Sequence, residues 1–156
     1  MRRKTVKKLP TKNLSDNPIF SGEYRVSVSE NRVTVPEKIY NQLKSANGLS
    51  GLRITRSPEG CVVIVPSGFW DFYCAAITEG KTSSIKEQLT RTSIAPAKTV
   101  SLESKRRLSI PYSFVMSPLA QAKRVVVVGL SRWIEIWSEE QWERSLVQFA
   151  KEGRNP

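Results

Sequence analysis

The sequence predicts an α+β, strand-rich protein built from one unit used twice. Two observations carry this. Short runs of alternating polarity, each bounded by a turn sequence, recur along the chain. The order strand, turn, strand, proline, helix, strand, turn, strand, tryptophan then occurs at two places, and such an internal repeat governs the whole reading of the fold.

The first 18 residues read as a basic arm. Arg2, Arg3, Lys4, Lys7, Lys8 and Lys12 precede any acid, and Pro10 and Pro18 discourage regular structure. Such an arm either solubilises or adds salt-sensitive attraction to phosphates. Regularity begins at "EYRVSV" (23–28), an alternating strand. "ENR" (30–32) is a turn, with Asn31 expected to take the positive φ, and "VTV" (33–35) is a second strand. Pro36 opens a helix over 37–46, with Glu37 in its first turn, and "NGLSG" (47–51) closes it. "LRITR" (52–56) and "CVVIVP" (61–66) are strands joined by the turn sequence "SPEG". Segments 69–80 and 83–92 read as helices, the latter with Ile85 and Leu89 on one stripe. The order then returns: strand 98–103, turn 104–107, strand 108–110, Pro111 and a short helix stopped by Pro118, strands 124–130 and 133–137 across Ser131 and Arg132. The last helix covers 138–153. Ser138 and Gln141 resemble a capping box, and Trp142, Leu146 and Phe149 form a face expected to pack on its own domain. The units divide the chain into an arm (1–19), a first repeat with linking helices (20–92) and a second repeat with the C-terminal helix (93–153).

The two units align at a constant offset of 75: Ser29 with Ser104, Arg32 with Arg107, Thr34 with Ser109, Pro36 with Pro111. The offset drifts to 72 later, where Trp70 meets Trp142. The turn between the first two strands of each unit therefore carries an arginine in both copies. The second turn adds Lys105 and Arg106, and Arg25 lies nearby on the first strand. A hairpin tip projects its side chains outward, where arginine grips phosphate or reads a guanine edge bidentately. An isolated basic triplet is usually a solvated charge run. Recurrence of the arginine at one position of both units argues otherwise. "RRLS" (106–109) also matches a kinase recognition pattern, which arises often by chance.

The net charge of +11 over 156 residues favours an anionic partner, either nucleic acid or a membrane surface, and the basic turns are where such a partner would be gripped. With no histidine, the commonest metal ligand and neutral-pH base are missing. Two distant cysteines, Cys61 and Cys74, make neither a zinc site nor a disulfide framework, and Cys61 reads as a small core hydrophobe. No glycine-rich phosphate loop, carboxylate cluster or lysine–serine pair stands out. The chain reads as a binding protein without catalytic residues, metal or cofactor. No apolar run reaches membrane-span length and no signal-peptide core is present, so a cytoplasmic protein is expected.

"LESKRRLSIP" (102–111) resembles the signature of the MraZ family, a tandem SpoVT/AbrB-type family in which an acid, three residues and an arginine lead into apolar-x-apolar-Pro. The likeness extends through "LAQAKRVVVVGLSRWIEIWSEEQW" (119–142), with Gly129 and the spacing of Trp137 and Trp142, and in the first unit through "RVTVP" (32–36) and "CVVIVPSGFW" (61–70). It spans roughly 20–148. The resemblance implies two swapped-hairpin, double-split β-barrel-type units with short helices. It implies ring-shaped homo-oligomers that bind repeated boxes of double-stranded DNA, often before the division and cell-wall gene cluster, at the nucleoid. It places the DNA-contacting arginine on Arg32 and Arg107 and the acid on Glu103. The chain departs from the pattern at Val28 (an acid), Glu30 (a lysine) and Asn31 (a turn glycine), and Arg106 stands at the second turn's glycine position. The site expected from these readings is Arg32, Arg107, Arg106, Lys105 and Arg25. The alternatives are a non-specific nucleoid-associated or RNA-binding protein, motivated by charge alone, and an antitoxin-like partner, which would need a toxin-binding tail.

Overall fold

The computed structural model describes residues 19–46, 51–115 and 123–154. The basic arm, residues 47–50 of the loop after the first helix, and Pro118 lie outside the described residues.

The chain is a mixed α+β protein, rich in strands. Elements follow in the order β1 (Glu23–Ser29), β2 (Arg32–Thr34), α1 (Glu37–Ser45), β3 (Leu52–Arg56), β4 (Val62–Pro66), α2 (Trp70–Thr78), α3 (Ser83–Leu89), β5 (Lys98–Val100), β6 (Arg107–Ser109), α4 (Tyr112–Val115), β7 (Arg124–Leu130), β8 (Trp133–Ser138) and α5 (Glu139–Arg154). Three segments differ from the sequence expectation. The 83–92 helix widens into a π turn over Thr90–Ile94. The 98–103 strand is regular only to Val100, after which Glu103 alone bridges Arg107. In the first hairpin Glu30, not Asn31, takes the left-handed conformation, with φ 60°. Positive φ at the first central residue only is the pattern of a type II′ turn, and Ser131 repeats it (φ 68°) between β7 and β8.

The eight strands form one antiparallel sheet in the order β5-β3-β4-β8-β7-β1-β2-β6. Strands from the two ends of the chain interleave: β1 pairs with β7, β2 with β6, β4 with β8 and β3 with β5. The sheet curls into a half-barrel, because its two end strands, β5 and β6, are neighbours in sequence and the Glu103–Arg107 bridge ties the segment between them back to β6.

Curling gives the sheet an inner and an outer face. The inner face collects Val33, Leu52, Ile54, Val62, Ile64, Leu108, Ile110, Val125, Val127, Ile134 and Ile136, plugged by Ile39 and Leu43 of α1 and by Phe114. Val63 and Val65, pointing the other way, are covered by Trp70 and Tyr73 of α2. All of β4 is therefore buried, which is why its sequence runs apolar without alternation. Gly129 marks a close crossing: a Cβ there would lie 2.3 Å from the Ser21 backbone nitrogen. Ser138 caps α5, its Oγ accepting from the Gln141 amide at 3.1 Å. Trp137 and Trp142 meet edge to face at 5.6 Å. The rest of the face expected to pack does not: Leu146 is 42% and Phe149 52% exposed, so α5 docks through its first turns only.

Candidate nucleic-acid interface

Alternation within β2 and β6 decides which side chains face out. Val33 and Leu108 are fully buried, so their neighbours Arg32, Thr34, Arg107 and Ser109 point to the outer side. The ladder places Arg32 opposite Ser109 and Thr34 opposite Arg107. The two arginines thus share one face at diagonal positions, roughly 7–8 Å apart by ordinary sheet geometry.

Their surroundings differ. The Glu103 carboxylate accepts a hydrogen bond from Ser109 Oγ at 2.7 Å and lies 3.9 Å from Arg32 Nε, at the outer limit of an ion pair. The position equivalent to Glu103 in the first unit is Val28, so Arg107 has no matching acid. Among the described residues no carboxylate reaches it, and its Nε is buried without a hydrogen-bond partner. Arg132 Nε and the Tyr73 hydroxyl are buried and unpartnered in the same way.

Lys105 and Arg106 form the tip of the second turn, both at φ 60°. Lys105 is exposed. Arg106 folds back, its Nε donating to the Val35 carbonyl at 3.1 Å. Asn31, which the sequence reading valued only for its backbone, donates from Nδ2 to the Ile110 carbonyl at 2.9 Å. The signal that could have found it is its alignment with Arg106 at the offset of 75.

Arg25 stands elsewhere. It lies on the part of β1 that pairs with β7, opposite Val126, not on the part that pairs with β2. Its guanidinium meets Glu23 at 2.7 Å, Glu143 at 2.8 Å and Glu139 at 3.1 Å. The hydrogen bonds it donates to Glu23 and then to Glu143 raise its pKa further, and Trp142 Nε1 donates to Glu23 at 3.3 Å. Arg25 therefore clamps α5 to the sheet.

The reactive side chains are quiet. Burial pushes the Cys61 thiol well above its ordinary value, and it sits 3.1 Å from Ser57 Oγ; burial also raises Cys74 and Tyr73. Among the described residues no group of three His, Cys, Asp or Glu side chains could hold a metal ion, and no helix is long and apolar enough to cross a membrane.

The strand-rich α+β scaffold thus presents two arginines on one face of the adjacent strands β2 and β6. Comparison with known proteins gives the family. Residues 94–155 match the family described as "MraZ protein, putative antitoxin-like". The chain is 32% identical over 131 residues to the "Transcriptional regulator MraZ" of Treponema denticola, covering 81% of this chain and 87% of that protein. It is 31% identical over 127 residues to the protein of the same name from Natranaerobius thermophilus, covering 80% and 85%. A third, from Herpetosiphon aurantiacus, is 29% identical over 86% of this chain and 91% of its own length. The chain belongs to the MraZ family.

Proposed function

We propose that the chain is a transcriptional regulator that binds double-stranded DNA in a sequence-specific manner. Arg107 and Arg32 are its reading residues, Lys105 strengthens phosphate attraction, Arg106 supports them from its bond to the Val35 carbonyl, and Arg25 contributes only by holding α5. The observation that carries this is the pair of diagonal outward arginines on adjacent strands, β2 and β6. A guanine edge or a phosphate offers acceptors to such outward guanidinium groups. The relatives' shared name supports the regulatory role.

The reading includes two SpoVT/AbrB-like units, 20–92 and 93–153, and the ladder registers support it. Exchanging the units at the offset of 75 turns the pair Arg32–Ser109 into Thr34–Arg107, and both pairs occur. At the later offset of 72, Val62–Ile136 becomes Ile64–Ile134, and again both occur. A pseudo-twofold axis through the sheet accounts for both. Assembly into a homo-oligomeric ring is part of the proposal. It is supported by the apolar end of α5, where Leu146, Val147 and Phe149 are 42%, 57% and 52% exposed. Rings would multiply weak unit contacts over repeated boxes, with the promoter of the division and cell-wall cluster as the first target to test, in the cytoplasm at the nucleoid.

Selection of duplexes from a random pool, followed by gel shifts, tests this. Wild type should prefer selected over random duplex. Arg107→Ala should remove that preference, and Arg32→Ala should weaken it, each bidentate contact contributing about 1–3 kcal/mol, with unchanged melting curves. The second reading, a non-specific nucleoid or RNA coat, rests on the charge of +11. It predicts that random DNA competes mole for mole, with a steep salt dependence in both.

A further inference from the structure

We propose that Asn31 and Arg106 are paired positioning residues, each stapling one hairpin to the other so that Arg32 and Arg107 stand in register. The inference deepens the DNA-binding reading and rests on it for what the positioning serves.

The geometry is reciprocal. Asn31 holds both polar groups of Ile110: its carbonyl accepts from the Ile110 amide at 2.8 Å, and its Nδ2 donates to the Ile110 carbonyl at 2.9 Å. Arg106 holds Val35 in the same way: its carbonyl accepts from the Val35 amide at 2.8 Å, and its Nε donates to the Val35 carbonyl at 3.1 Å. Exchange of the two units carries one set of bonds onto the other, since Asn31 aligns with Arg106 and Val35 with Ile110. Asparagine and arginine share little beyond a planar group with an N–H donor, and that donor is what both staples use.

The positions explain the need. Val35 and Ile110 are 5% and 1% exposed, so water cannot be relied on to satisfy their carbonyls. Each is followed by a proline, Pro36 or Pro111, which has no N–H to extend the ladder. The ladder of β2 with β6 therefore ends where the chain turns into a helix, and the side-chain donor closes it. Each staple residue directly precedes a reading arginine in sequence, so slack at 31 or 106 passes straight to Arg32 or Arg107. On this view Arg106 acts through its Nε bond, not through charge.

The test uses the full chain in two arms. Without DNA, amide hydrogen exchange should accelerate at Ile110 in Asn31→Ala and at Val35 in Arg106→Ala. With DNA, both variants should lose about tenfold in preference for a selected over a random duplex, the low end of one bidentate contact. The slope of log affinity against log salt should stay unchanged. Arg106→Gln keeps a planar donor without the charge and should recover most of the preference. If Arg106→Gln falls with Arg106→Ala and the salt slope shrinks by about one, Arg106 is a phosphate contact and the proposal fails. Unchanged exchange at both amides also overturns it. Wild type that binds both duplexes alike overturns the regulator reading and the DNA role proposed for the staples, whereas the exchange arm still decides by itself whether the staples exist.

Discussion

At the scale of single residues, the outer face of β2 and β6 sets cation placement against backbone comfort. Glu30 and Lys105 occupy equivalent tips, both at φ 60°. A non-glycine residue there gives up about 1 kcal/mol or more to the contact of Cβ with the following carbonyl. Lys105→Gly should therefore raise the melting temperature by roughly 2–4 °C. It should also weaken binding to any duplex and lower the salt slope by about one, because a phosphate contact is gone. Calorimetry and a salt titration would see the two effects move in opposite directions. Glu135 carries the pH dependence most open to test. Burial raises its pKa above the ordinary carboxylate range, although Trp137 Nε1 donates to it at 2.8 Å. The folded state therefore holds the proton more tightly than the unfolded chain. This group's contribution is complete below the ordinary carboxylate pKa and is lost as pH rises through the raised folded value. Glu135→Gln should leave stability near pH 3 unchanged and raise the melting temperature at pH 7. Equal shifts at both pH values would exclude Glu135 as the titrating group.

Among the elements, α5 behaves least as its sequence suggests. Its stripe of Trp142, Leu146 and Phe149 has the spacing of a buried face, but only its start finds a partner. Trp142 packs on Trp137, and the Arg25 cluster holds Glu139 and Glu143. Spacing shows that a face is apolar and says nothing of what covers it. The double variant Leu146→Ala with Phe149→Ser should leave the stability of dilute monomer within about 0.5 kcal/mol of wild type. Leu108→Ala, at a fully buried site, should cost about 2–5 kcal/mol. If the exposed face is the ring contact, sedimentation of the double variant should shift to smaller species with the fold intact. The strands were legible for a simpler reason: alternation in β1 and the unbroken apolar run of β4 report one covered face and two, respectively.

For the whole molecule, interleaving is the main constraint. Every strand between Glu23 and Pro66 has a ladder partner from Lys98–Ser138: β1 with β7, β2 with β6, β3 with β5, β4 with β8. Neither half can complete its hydrogen bonds alone. Expressed separately, 20–92 and 93–153 should each lack cooperative melting, and mixing them after co-expression should restore it. A half that melts cooperatively as a monomer would contradict the shared sheet. Interleaving also places Arg32 and Arg107, far apart in sequence, on adjacent strands.

The sequence by itself determined the order of elements and the arginine beside each of two turns, because periodicity, proline and turn chemistry act over a few residues. It also placed the chain near its family through "LESKRRLSIP". Which residues take positive φ, which arginine lacks an acid, and which binds one were decided by the tertiary structure. Arg25 and Arg107 are equally basic in sequence, but two carboxylates from a helix 114 and 118 residues away join the neighbouring Glu23 beside the first, and none reaches the second among the described residues. Charge is a local property of the chain, whereas the partner that neutralises it is brought by the fold.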